Sequence, residues 1–178
     1  MAWPRLRIEV VIIAFVVVLA AAFGARYLWV RLEITRPMVE SFQAIAGVTH
    51  VQAIQVGQGK QLRITLGNVE DLAATYHQVL QVAAQYGYRP SQIQWVDKRD
   101  GRLEKVYYQM QYALWEGIAT GKFTLMASRL EAQARQAKLE RFRLYVDDSH
   151  VYLGLWDQGH YLYEIVPRVA ASEAQGGR

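Results

Sequence analysis

The hydrophobic positions of this chain change rhythm twice. Residues 10–24, VVIIAFVVVLAAAFG, form an almost unbroken apolar run, and residues 27–30 continue it past Arg26. About 20 residues at about 1.5 Å each are needed to cross roughly 30 Å of hydrocarbon, so residues 10–30 are expected to form a transmembrane anchor. Arg26 would extend toward the headgroups, and Tyr27 and Trp29 would occupy the interfacial aromatic belt. Residues 1–9 form a basic tail carrying Arg5 and Arg7. The alternative is a cleaved secretory signal, with Ala20, Ala21 and Ala22 at the cleavage site.

Beyond the run the pattern breaks into short elements. Pro37 suits the first turn of a helix with Met38, Phe42 and Ile45 on one face, before Gly47 ends it. Residues 48–56 read as a strand, 57–60 as a turn, and Leu62, Ile64 and Leu66 alternate in a second strand. Asn68 is expected to cap a helix with Glu70 and Asp71 in its first turn and Leu72, Tyr76, Val79, Leu80 and Ala83 in its apolar stripe, ending near Gly87. Ile93 and Trp95 mark a third strand, so residues 37–96 read as an αββαβ lobe.

Residues 97–101, DKRDG, form a charged turn leading to a second lobe, residues 102–168. Leu103, Val106, Tyr107, Met110, Leu114 and Ile118 stripe one long helix that stops near Gly121. Thr124 is expected to cap the next, over 124–141, with Met126, Leu130, Ala134 and Ala137 inside. Three strands follow, at 142–146, 151–156 and 161–166, joined by turn residues that make neighbours antiparallel. The expected fold class is α+β: an N-terminal transmembrane helix, an αββαβ lobe, and an ααβββ lobe ending in an antiparallel meander. Residues 169–178 lack periodicity and are expected to be disordered.

A two-residue turn at Gln158 and Gly159 sets Trp156 opposite Tyr161 and Gly154 opposite Tyr163. Tyr152, Trp156, Tyr161 and Tyr163 then share one face of the meander, and Val151, Leu153, Leu155 and Leu162 the other. A sheet apolar on both faces is either covered twice or awaits a partner. Coverage within the monomer is the preferred reading, and the four aromatics as a partner surface is the alternative.

Charge narrows the function classes. The chain carries a net +4, but residues 1–36 hold +3 of it, beside the expected membrane span. The body carries no large field, which argues against nucleic acid and leaves basic residues to orient the span and meet anionic lipid. The flanks of the span are nearly balanced in charge, and a signal-anchor orientation puts the body outside the cytoplasm. With no cysteine there is no disulfide, thiol nucleophile or thiolate metal site.

Candidate chemistry is sparse. Asp147, Asp148 and His150, joined by His160, pair carboxylate with imidazole and could hold a divalent metal, though Asp-Asp-Ser is also ordinary turn chemistry and that is the preferred reading. Glu116 could be a buried general acid, but its position at the edge of the helix stripe suits a solvated carboxylate better. No nucleophile elbow, phosphate loop or dinucleotide fingerprint occurs, and the G-x-G at Gly57 and Gly59 sits in a hairpin. No cofactor and no metal are therefore expected. Lys122, Arg129, Arg135, Lys138 and Arg141 make a basic exterior that could meet polyanions, with a solvated helix face as the plainer account.

The αββαβ order of residues 37–96, with GVTHVQAIQV leading into LRITLG, resembles the ring-building modules of membrane-anchored secretion and sporulation ring proteins. That resemblance implies lateral packing of identical anchored domains. The reading that follows is a non-catalytic, single-span membrane protein whose body binds itself or another envelope protein. A cell-envelope enzyme or ligand sensor using the polar edge of the meander, and a tethered polyanion binder acting through the basic helix, are the alternatives.

Overall fold

The computed structural model describes residues 8–30, 36–57 and 59–168, and side chains of the first helix over 12–26. The chain is a mixed α+β protein that divides into two compact units, residues 1–42 and 43–178. The expected tail 169–178, most of the basic tail 1–9, and the belt side chains Tyr27 and Trp29 lie outside the described residues.

The first unit opens with α1, Ile8–Val30, which has no apolar or polar side. The side chains described on it, 12–26, cover fewer residues than a span requires. Accordingly, among the described residues, no helix is long and apolar enough to cross a membrane. The transmembrane helix expected from sequence is thus not part of the observed fold class. α2, Arg36–Gln43, turns Met38 and Phe42 to its buried face.

In the second unit β1, Val48–Val56, and β2, Gly59–Leu66, form a hairpin through Gly57, whose φ of 58° suits glycine. Leu62, Ile64 and Leu66 alternate into the core. α3, Leu72–Gln85, carries the chain across to β3, Ile93–Val96, which pairs parallel to β2 with Ile64 opposite Trp95. Parallel neighbours require such a crossover. The cap of α3 is Asp71, whose Oδ1 accepts from the Ala74 N–H at 2.9 Å, and not Asn68. Asn68 is engaged elsewhere, as described below.

α4, Gly101–Thr120, is capped by Asp100 and ends at left-handed Gly121, from which α5, Phe123–Gln136, turns back. The two cross closely at Gly117, where an added Cβ would lie 2.5 Å from that of Met126. Two expectations fail here. Thr124 is not the cap of α5: the helix begins at Phe123, with Lys122 at the cap position and no side-chain bond. Nor does the helix reach residue 141, because Lys138 adopts φ 54° and reverses the chain into the next strand. Lys138 and Arg141 are therefore not helical.

β4, Arg141–Val146, β5, His150–Asp157, and β6, His160–Pro167, form a second sheet in the order β4-β5-β6, all antiparallel. Gln158 and Gly159 are both left-handed, the signature of the two-residue turn that matches strand twist. Trp156 accordingly faces Tyr161, and Gly154 faces Tyr163. One face of this sheet packs Val151, Leu153, Leu155, Leu162 and Val166 against Leu103, Met110, Leu114, Met126 and Leu130 of α4 and α5.

On the opposite face the Trp156 ring folds over Gly154, reaching within 2.4 Å of where a Cβ would stand. Gly154→Ala should therefore destabilise the body by about 1 to 3 kcal/mol through overpacking. Trp156→Ala should cost more, about 3 to 5 kcal/mol, by removing a buried ring. Urea unfolding of the two variants checks both values and their order, and a neutral Trp156→Ala would contradict the packing described.

Candidate functional site

The aromatic face of the second sheet is where the two halves of the body meet. Tyr152, Trp156 and Tyr163 are 2 to 6% exposed, while Tyr161 is half-buried and stacks on Tyr163 with ring centroids 5.4 Å apart. The Tyr163 hydroxyl donates to the Gly67 carbonyl at 2.9 Å and accepts from the Val69 N–H at 2.8 Å. The Trp156 indole N–H donates to Asn68 Oδ1 at 2.8 Å, and the Arg141 guanidinium, which also binds that oxygen, lies 3.9 Å over the indole ring. This weighs against the four aromatics as a partner surface: Tyr152, Trp156 and Tyr163 are almost fully buried beneath residues 67–69 and α3, and Tyr161 alone of the four is partly exposed.

The charged turn 97–101 is not simply solvated. Asp97, with a side chain 5% exposed, accepts from the Tyr163 N–H at 2.8 Å and from Arg99 at 2.8 Å on each oxygen. Arg99 continues to Glu164 at 3.1 Å, and the Lys98 carbonyl accepts from the Tyr161 N–H at 3.1 Å. The hydrogen bond that Arg99 donates to Asp97 raises the guanidinium pKa against the opposing effect of burial, whereas burial pushes the Glu164 carboxyl up more than Arg99 pulls it down. Residues 97–99 thus act as a plug along the outer edge of β6.

At the far end of the sheet, Asp147 gathers a cluster that the sequence reading saw only in part. Its Oδ1 accepts from the backbone N–H of Ser149 and His150, each at 2.7 Å, and its Oδ2 accepts from the Tyr152 hydroxyl at 2.7 Å and His77 Nε2 at 3.0 Å. Burial would raise this carboxyl, but the donors from Tyr152, Ser149, His150 and His77 outweigh it and hold the group well below the usual carboxylate range. Burial also lowers the His150 pKa, keeping a neutral ring that meets the Tyr76 hydroxyl at Nε2, 3.2 Å, and Ser149 Oγ at Nδ1, 2.9 Å. Burial raises both tyrosine hydroxyls, Tyr152 strongly. With donors on both oxygens, Asp147 is a clasp between α3 and the β4–β5 turn and has little capacity left to take a substrate proton.

The remaining sequence candidates disperse. His160 lies at the other hairpin from His150, 3.8 Å from Asp100, and does not join Asp147 and Asp148. Among the described residues no group of three His, Asp or Glu side chains is placed to hold a metal ion. Glu116 is exposed and paired with Arg129, which corrects the buried-acid alternative. Of the basic exterior, Arg129 and Arg135 are paired with Glu116 and Glu131, Arg141 covers Trp156, and only Lys122 and Lys138 lie exposed without an ion-pair partner among the described residues. The five cations do not form one stripe, because the helix that would have aligned them ends at Gln136.

One concave feature of the body is a groove of about 560 Å³ beside β4. Its floor is Phe142, Arg143, Leu144 and Tyr145 of β4 with Tyr152, Gly154 and Trp156 of β5, one wall is residues 70–73 at the start of α3, and the other is Ala127 and Glu131 of α5. Nothing in the sequence pattern announced it, since it arises where two helices distant in sequence flank one strand. No family model, curated protein or solved structure matches this chain. The groove and the clasp beside it must therefore be read from their own chemistry.

A folded-state carboxyl pKa below the unfolded one contributes stability at neutral pH that is lost as pH falls through and beneath the ordinary range near 4. Wild-type stability should accordingly drop as pH falls from about 5 to below 3. Asp147→Asn should be less stable at pH 7 and lose less on acidification. Urea midpoints at pH 7, 5 and 3 test this, and parallel acid profiles for the two proteins would contradict the clasp.

Proposed function

We propose that this chain is a single-span, membrane-anchored, non-catalytic binding protein of the cell envelope, with its body outside the cytoplasm. The observation that carries the reading is α1. Its 23 residues, at about 1.5 Å each, would reach about 34 Å. Ile12, Ile13, Phe15, Val16, Val17, Val18 and Phe23 are each 56 to 70% exposed around its whole circumference. A helix apolar on every side needs an apolar surround, and a bilayer supplies one without any partner surface on the protein.

Two features of the body favour binding over catalysis. The polar cluster with the most perturbed groups is hydrogen-bonded internally, as a structural clasp is. The open features are shaped for contact instead: the groove beside β4, and an aromatic stripe on α4 in which Tyr108, Tyr112 and Trp115 are 62, 65 and 48% exposed at helical spacing. An αββαβ element order like that of ring-building modules agrees with assembly at a membrane. On this reading the membrane concentrates the bodies in one plane, and weak surfaces become effective through tethering.

The full chain should resist carbonate extraction, and Val18→Lys, near the middle of α1, should shift a large share of it to the soluble fraction, since a central lysine costs about 2.5 to 3.5 kcal/mol of insertion. Extraction of the wild-type chain into the soluble fraction would contradict the anchor.

A further inference from the structure

The two edges of the second sheet are treated differently. Strand β6 turns the backbone groups of Tyr161 and Tyr163 outward, and they are met by the Lys98 carbonyl, the Asp97 carboxylate and the Arg99 guanidinium. Among the described residues, strand β4 has no such plug. The Asp147 N–H binds the His150 carbonyl, which makes 147 and 150 a hydrogen-bonded pair. Alternation along the ladder then pairs Tyr145, Arg143 and Arg141 with β5 and turns the backbone N–H and C=O groups of Phe142, Leu144 and Val146 away from it. β4 is the last strand of its sheet. The outward groups of Phe142 and Leu144 open onto the groove, which runs along this edge with a helix on either side.

A free strand edge set in a groove recognises extended backbone, and its walls choose the side chains. A strand added here would alternate its side chains between the α5 wall and the α3 wall. The α3 wall carries Glu70 and so suits basic side chains, while the α5 wall carries Ala127 and suits apolar ones. Glu70 has no ion-pair partner among the described residues, whereas Glu131 on the α5 wall is already paired with Arg135 at 3.3 Å. The groove's own cation is occupied, because Arg143 donates to the Glu70 carbonyl at 2.6 Å. Ala127 leaves space opposite Phe142 and Leu144 for an apolar residue.

We propose that the groove beside β4 binds an extended peptide segment of a partner protein, alternating apolar with lysine or arginine residues, which joins the sheet as a fourth strand. The proposal rests on the binding function given above, names the chemistry of the partner, and is independent of the anchor.

The test uses the full chain in lipid nanodiscs at 150 mM salt and a fluorescent eight-residue peptide alternating lysine with valine. Two control peptides replace every lysine by glutamate, or a central valine by proline, which cannot donate to a ladder. Anisotropy should show saturable binding of the lysine peptide and at least tenfold weaker binding of both controls. Ala127→Arg, which fills the groove from a helix that tolerates arginine, should weaken binding at least tenfold. Glu70→Gln, on the wall that receives the lysines, should weaken it about tenfold, whereas Glu131→Gln, on the wall that receives the valines, should change it little. Absent binding of the lysine peptide, equal binding of the proline peptide, or binding indifferent to Ala127→Arg and Glu70→Gln in folded protein would overturn the proposal. Lost peptide binding in a chain that still resists carbonate extraction would leave the anchor standing, and the reverse result would remove the anchor alone.

Discussion

The Tyr163 hydroxyl, held between the Gly67 carbonyl and the Val69 N–H, joins parts of the chain 94 to 96 residues apart, and the layout of the body depends on it. An aromatic face can be buried only if its polar atoms find partners, since an unpaired buried donor or acceptor costs about 1 to 3 kcal/mol. Residues 67–69 supply those partners for Tyr163 and, through Asn68, for Trp156 and Arg141. Gly67 is required for the loop to run there, because a Cβ would stand 2.8 Å from the Thr49 methyl. Once this face is closed, β5 is covered on both sides, and residues 97–99 are drawn along β6 to seal one edge.

Sealing one edge is what leaves the other significant. The Asp97 carboxylate fixes Tyr163 at one side of the sheet, and the Asp147 carboxylate ties α3 to the β4–β5 turn at the other. Between them α3 packs against β5, and α5 packs against β4. The groove is the space this arrangement leaves, so its shape is a consequence of the two clasps and not of flexible loops.

Much of this was legible in the sequence where local chemistry decides. Alternation placed Leu62, Ile64 and Leu66 inside, and the two left-handed residues Gln158 and Gly159 imposed the register that put Trp156 beside Tyr161. Helix ends were less legible. Asn68 and Thr124 are good caps by type, but Asn68 is claimed by an indole from 88 residues away, and Lys138 breaks its helix from a left-handed conformation that lysine seldom adopts. The site was hardest to read. Asp147 and His150 stood out as a turn, whereas Tyr76 stood only in the apolar stripe of α3 and nothing in the pattern marked His77. Only the folded chain brings them together. The run 97–101 reads as a solvated turn for the same reason, since the buried partners of Asp97 and Arg99 come from β6.

Hydrogen exchange on the full chain tests the central claim, that this sheet has one sealed edge and one open edge, most directly. The account predicts that the amides of Tyr161 and Tyr163 exchange slowly, at rates near those of β5, while the amides of Phe142 and Leu144 exchange many-fold faster. Equal protection at the two edges, or faster exchange along β6 than along β4, would contradict it.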